Sequence, residues 1–287
     1  MTASLSSSPV FEEATPETRH LPSRTLGLLD HVRALYRFRE LLWIWAGREI
    51  KVRYKQSVLG AAWAVLQPLV LMIVFTVVFS YIARVPTGGV PYPIFSYTAL
   101  LPWTFLATSI SFAAPSLVTN MNLVTKVYFP REILPIGSLI AAFVDFLVAS
   151  VVFLALMLFY RIPLRWTMGW IPVLLLVQIV LTLGVILLLS ALCVRFRDIR
   201  FVVPLGVQIW MYASPIIYPS SLVPERFRAA YALNPMVGLI DAYRAVILTG
   251  ESPGAWPLAA SAAVGVILLF AGYAYFKRSE ATFADII

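Results

Sequence analysis

From Gly60 to Phe276 the chain is a succession of apolar runs, each about the thickness of a bilayer, separated by short connections that carry most of the charge. The runs cover 60–82, 94–116, 136–160, 170–194, 201–218 and 257–276. An apolar helix crosses the hydrocarbon core in about 20 residues. Inside lipid only helices and closed barrels satisfy their backbone hydrogen bonds. The pattern therefore predicts an all-α membrane protein with six transmembrane helices. Pro68 predicts a kink in the first run, Pro102 interrupts the second, the third holds the acid Asp145, and the fifth is short.

Composition agrees with lipid as the main solvent. Of 287 residues, 13% are charged and 60% hydrophobic, whereas soluble domains carry about 25% charged and about 45–50% apolar residues. Such a chain cannot cover a water-facing surface. The net charge of +8 would suggest nucleic acid in a soluble protein. Here the basic residues flank apolar runs. With the N-terminus inside, sixteen of the 22 Lys and Arg fall on the cytosolic side and six outside, the bias that orients membrane proteins. Both termini are then cytosolic.

Residues 1–30 read as a disordered cytosolic tail, polar and without the apolar core of a signal peptide. The single cysteine, Cys193, allows no intramolecular disulfide and no Cys-rich metal site. Residues 31–57 contain Tyr36–Gln56, which begins with Trp and Leu on one face and gathers Arg48, Lys51, Arg53 and Lys55 toward its end. That is the pattern of an amphipathic helix at the cytosolic interface, either a plain anchor or one that also touches a partner. Residues 58–287 form the membrane domain. Within it Tyr231–Gly250 holds Asn234, Pro235, Asp241 and Arg244, too polar for a lipid-exposed span. It reads as a re-entrant helical hairpin between spans five and six, starting near Pro215.

Two connections are dense in specific residue types. Asn120, Asn122, Lys126, Phe129, Pro130, Arg131 and Glu132 lie between the second and third runs, and Arg197 and Asp198 between the fourth and fifth. Either set is an ordinary helix junction or a contact with a soluble partner, with Phe129 as an apolar anchor. Asp145 is either a helix-to-helix hydrogen bond or part of an ion path. A proton-coupled secondary transporter would need more such acids, and the other deep polar groups, Gln67, Gln178 and Gln208, are neutral. Trp63, Phe75, Phe79, Trp103, Phe105, Trp210 and Tyr212 lie deep, and aromatic faces of that kind stack on sugar rings. The sequence has no GxxxxGK[ST] loop, no GxSxG, no paired histidines at metal-ligand spacing and no visible internal repeat. A membrane glycosyltransferase would require an acid or metal cluster that is not found.

The ordered strings REIKVRYKQSVLGAAWAVLQPLV (48–70), LLPWTFLATSI (100–110), NLVTKVYFPREILP (122–135), RFRDIRFVVP (195–204), SPIIYP (214–219), LNPM (233–236) and FADII (283–287) resemble the type-2 ABC exporter permeases of the polysaccharide and polyol-phosphate branch, over about residues 30–287. The resemblance implies a homodimer of six-span subunits paired with two ABC ATPase subunits, which bind ATP and Mg; this chain would bind no cofactor and hold no catalytic residue. It further implies that the 120–132 loop is the main coupling element, with the N-terminal helix as a second ATPase contact. It implies a lipid-linked glycan substrate whose pyrophosphate meets Arg48, Lys51, Arg53 and Lys55, and a path lined by aromatics.

Overall fold

The computed structural model describes residues 33, 36–55, 60, 62–280 and 283, and the 1–30 tail, residues 56–59 and all of the FADII ending except Phe283 lie outside them. Among the described residues the regular structure is entirely helical. In chain order the helices are α1 (Arg39–Tyr54), α2 (Ala62–Phe75, continued as a π-helix over Thr76–Ile82), α3 (Tyr92–Ala113), α4 (Ser116–Thr119), α5 (Met121–Lys126) and α6 (Ile133–Phe159). They continue as α7 (Ile171–Arg195, after a 3₁₀ turn at Trp166–Trp170), α8 (Ile199–Tyr212), α9 (Glu225–Ala232), α10 (Pro235–Arg244, continued as a π-helix over Ala245–Thr249) and α11 (Ala255–Glu280).

Among the described residues four segments are long and apolar enough to cross a bilayer: Ala62–Ile82, Ile133–Phe159, Trp166–Arg195 and Ala255–Glu280. They match the first, third, fourth and sixth apolar runs. The second run, α3, is 22 residues long and diluted by Pro, Ser, Thr and Tyr, and 16 of those residues are buried. It is the central helix, packed by α2, α6, α7, α8 and α10. Its hydroxyls are satisfied locally: Thr98 Oγ1 donates to the Ile94 carbonyl and Ser109 Oγ to the Phe105 carbonyl, both at 2.7 Å. Gln178 Nε2 donates to the carbonyl of Pro102 at 2.6 Å, and the Tyr243 hydroxyl donates to Gln178 Oε1 at 3.1 Å. Neighbouring protein thus supplies the partners that lipid cannot.

The fifth run is shorter than expected. Its helix α8 ends at Tyr212 after 14 residues, not at Tyr218. At about 1.5 Å per residue it reaches about 21 Å, against a hydrocarbon core of about 30 Å. After Ser214–Pro219 the expected hairpin region forms two short helices, α9 and α10, separated at Asn234–Pro235. Asn234 caps α10 by accepting from the Met236 N–H at 3.1 Å, accepts from Trp210 Nε1 at 2.8 Å, and donates to the Ala213 carbonyl at 2.9 Å. Arg244, 7% exposed, donates to the Ile216 carbonyl at 2.9 Å and lies 3.6 Å from the Phe95 ring centroid. The polar residues that made this stretch unfit for lipid fold it back onto α3 and α8.

Three pairs of helices approach closely at glycine, one of them α10 and α11, where a methyl group on Gly238 would fall on the Pro257 carbonyl. On α7, a methyl group on Gly184 would stand 2.5 Å from the backbone nitrogen of Leu269 on α11, and one on Gly272 would fall on the Gly184 carbonyl. On α6, a methyl on Gly137 would collide with the Trp45 ring of α1. Small residues at such crossings let helices gain van der Waals contact where lipid offers no hydrophobic drive.

Candidate functional site

One end of the bundle gathers α1, the α5–α6 loop, the α7–α8 turn and the end of α11 around a single apolar cluster. Trp45, Leu117, Val124, Phe129, Ile133, Leu134, Val194, Phe276 and Phe283 belong to it. Phe129 points inward and is 6% exposed, whereas its neighbour Tyr128 is 93% exposed. The aromatic anchor expected at Phe129 is therefore part of the subunit's own core, and Tyr128 is the aromatic the loop presents. Asn122 and Lys126 are exposed on α5, and Pro130 follows half-buried. Phe129→Ala is expected to cost about 3–5 kcal/mol, as for other buried Phe truncations. Tyr128→Ala should stay within about 0.5 kcal/mol. Thermal unfolding of the two purified variants in detergent separates them.

The acid and base of the loop are held from α11. Glu132, 2% exposed, forms an ion pair with Lys277, which also pairs with Glu280 at 2.8 Å. Arg131 donates to the Glu280 carbonyl and stands 5.8 Å from the Phe283 ring centroid. Glu132 occupies the N-cap position of α6 without a side-chain capping bond; its carboxylate is turned toward Lys277 instead. Arg197 and Arg200 line a cavity of about 280 Å³ together with Thr119 and Met121, so the second basic connection lies beside the first. Asp198 is exposed at the N-cap of α8 and makes no side-chain cap there.

A larger cavity of about 560 Å³ opens between α1, α2, α3 and α6, with Arg48, Glu49, Arg53, Gln67, Thr104, Thr108, Asn120 and Asp145 among its polar lining. Of Arg48, Lys51, Arg53 and Lys55, two line it, Arg48 and Arg53. Arg53 forms an ion pair with Asp145 at 2.7 Å, donates to the Ser138 carbonyl at 3.3 Å, and stacks 3.9 Å from the centroid of Phe112. The Tyr54 hydroxyl donates to the other oxygen of Asp145. Burial and the neighbouring carboxylate push the Tyr54 phenol well above its usual value, so it remains a donor. Arg48 is exposed, donates to Asn120 Oδ1 at 3.4 Å and lies 4.4 Å from the Trp45 ring centroid. Lys51 and Lys55 are exposed and do not line the cavity.

Asp145 is thus the counter-ion of Arg53, tying α1 to α6. The pair was recoverable from the sequence in principle. A lone intramembrane acid needs a partner, and the run from Arg48 to Lys55 offers four cations. The tie from Lys277 and Glu280 to the loop had no such signal.

The seven deep aromatics do not share one wall. Trp63, 54% exposed, and Phe105 line the larger cavity. Phe75 and Phe79 stack edge to face at 5.9 Å, as do Trp103 and Trp210. Tyr212 lies exposed at the end of α8. Among the described residues no three His, Cys, Asp or Glu side chains group as a metal site.

Comparison with known proteins follows the same outline. The sequence profile of the ABC-2 type transporters matches residues 40–248, from the start of α1 to the end of α10. The O-antigen export system permease protein RfbA of Myxococcus xanthus is 34% identical over 259 residues, covering 89% of this chain and 98% of that protein. RfbA of Klebsiella pneumoniae is 30% identical over 250 residues, 86% of this chain and 95% of its own length. The polysialic acid transport protein KpsM of Escherichia coli is 24% identical over 247 residues, 81% and 91% of the two chains.

Proposed function

We propose that this chain, which belongs to the ABC-2 type transporter family, is the permease subunit of an ATP-driven exporter. Its cargo in this reading is a lipid-linked polysaccharide of the O-antigen, capsule or teichoic-acid type, moved across the bacterial cytoplasmic membrane. The observation that carries the reading is likeness to O-antigen export permeases over almost their whole length. In this reading α2, α3, α6, α7, α8 and α11 are the six membrane segments, with both termini cytosolic, α1 at the cytosolic interface and α9–α10 as the re-entrant pair outside. Two copies of the permease would join two ATPase subunits that hold ATP and Mg.

The α5–α6 loop then faces the ATPase, with Asn122, Lys126 and Tyr128 outward and Arg197 beside it. Closure of the ATPase dimer on ATP would push this loop and, through it, the bundle. The cavity beside α1 suits a phosphate group. Arg48 reaches it as an exposed donor and Thr108 lies in its lining beside the acid Glu49, whereas Thr104 and Asn120 already donate to the Leu101 and Ser116 carbonyls. Arg53 is less free, since Asp145 already neutralises it. The same pairing gives Asp145 a structural partner, which weighs against a proton-coupled carrier that hinges on this acid.

Affinity-tagged permease co-expressed with the ATPase encoded beside it tests the reading. Co-purification with a nucleotide-binding subunit, and ATP hydrolysis that rises on reconstitution, are the expected results. A permease that purifies alone and leaves the ATPase rate unchanged would sink it.

A further inference from the structure

The end of α11 is built into the loop that links α5 to α6. Glu132 is almost wholly buried, and its cation comes from Lys277, 145 residues later in the chain. Arg131 reaches the same helix end through the Glu280 carbonyl. Beneath them Phe283 packs edge to face on Phe276 at 5.4 Å, and both belong to the cluster that contains Phe129. The loop and the helix end are therefore joined by one ion pair, one hydrogen bond to backbone and a shared apolar core.

Carboxylates and ammonium groups taken out of water are stabilised only when their geometry is kept. A displacement of the loop that left α11 behind would strand Glu132 as an unpaired buried charge, whereas Lys277 would keep Glu280. Moving both together keeps the pair intact. α11 in turn crosses α7 with backbone against backbone at Gly184 and Gly272, five residues before Lys277. Close-packed crossings of this kind move as units rather than deform.

Resting on the exporter reading above, we infer that Lys277 is a positioning residue for coupling. It locks the α5–α6 loop to α11, so that a push from the ATPase reaches the α7–α11 pair directly as well as α3 and α6 on either side of the loop. The C-terminal helix end is then a working part of the coupling element.

The test uses the complete permease–ATPase complex, with Lys277→Met, Lys277→Arg and the neutral double variant Glu132→Gln/Lys277→Met. Lys277→Met leaves Glu132 buried without its cation and risks misfolding. The double variant removes both charges and keeps the fold testable. Three quantities are read: ATPase subunit recovered per permease, ATP hydrolysed, and polysaccharide reaching the cell surface. The expected result for the double variant is wild-type recovery of the ATPase, hydrolysis within twofold of wild type, and at least a fivefold loss of polysaccharide exported per ATP. Lys277→Arg should restore most of that ratio, since Arg also pairs with carboxylates. Wild-type export per ATP in the double variant overturns the inference, as does a double variant that has lost its ATPase subunit, which would make the pair a docking or folding element. A wild-type complex without an ATPase subunit would instead count against the exporter reading, and is scored first.

Discussion

Asp145→Ala is expected to destabilise the folded permease by about 3–5 kcal/mol, the range for removing one partner of a buried ion pair. The Arg53 side chain is 7% exposed and the Asp145 side chain 16%, so water does little to replace the lost carboxylate. The Ser138 carbonyl and the Phe112 ring remain beside the guanidinium, but neither carries a charge, and the Tyr54 hydroxyl loses its acceptor. The loss also releases a charged tie between α1 and α6, leaving the Arg53–Ser138 contact and Trp45 seated on Gly137. Asp145→Asn keeps an oxygen for Tyr54 and should cost less, about 1.5–3 kcal/mol, the worth of hydrogen bonds to a charged group. Replacing both partners with apolar residues, as in Arg53→Met/Asp145→Leu, should recover most of the stability. Thermal unfolding of purified protein in detergent gives the ranking. An Asp145→Asn protein that melts like wild type but exports nothing would revive an ion path through this acid, because a relay loses function without losing the fold.

Much of this architecture is legible in the sequence because lipid imposes a length and a polarity on every span. α2, α6, α7 and α11 lie where the apolar runs do, and the break at Asn234–Pro235 lies where the polar residues forbid a lipid-facing helix. What hydropathy cannot supply is which side of a span faces protein. Val70 and Ile73 on α2 are more than half exposed, and Leu158 on α6 is 80% exposed, yet they are as apolar as any core residue. For that reason the weakest run, α3, proves to be the central helix. Its Ser, Thr and Pro residues are tolerable because neighbours surround them. The same blindness places Phe129 outside and says nothing of Tyr128. Two adjacent aromatics in a loop differ only in which one the later end of α11 comes to cover, and Phe276 and Phe283 are more than 140 residues away in the chain. The ion pairs divide likewise. Arg53–Asp145 is foreseeable from the cost of an unpaired deep acid, whereas Glu132–Lys277 joins two groups that each look solvated at a membrane surface.

Gly184→Leu and Gly272→Leu are expected to abolish the folded α7–α11 pair, with the protein recovered aggregated or degraded rather than in the membrane. The approach at Gly184 involves Leu268 and Leu269 backbone atoms at 2.5–2.8 Å from the position of an added methyl. Backbone cannot rotate aside as a side chain can, so even Gly184→Ala must push the helices apart. Overpacking a tight contact typically costs about 1–3 kcal/mol, and a leucine adds three further carbons to the same gap. Separation also opens the contact along the rest of the crossing, where Gly265 lies 3.4 Å from Leu181 on the same measure. Gly206 on α8 is the control, because nothing lies within 4 Å of a methyl group there. Gly206→Ala should be neutral or stabilise by about 0.5–1 kcal/mol through reduced chain entropy in a helix. Size-exclusion profiles and melting temperatures of the four variants decide the matter. If Gly184→Ala elutes and melts like Gly206→Ala, α7 and α11 are not locked at these glycines, and movement of α11 would not carry α7 with it.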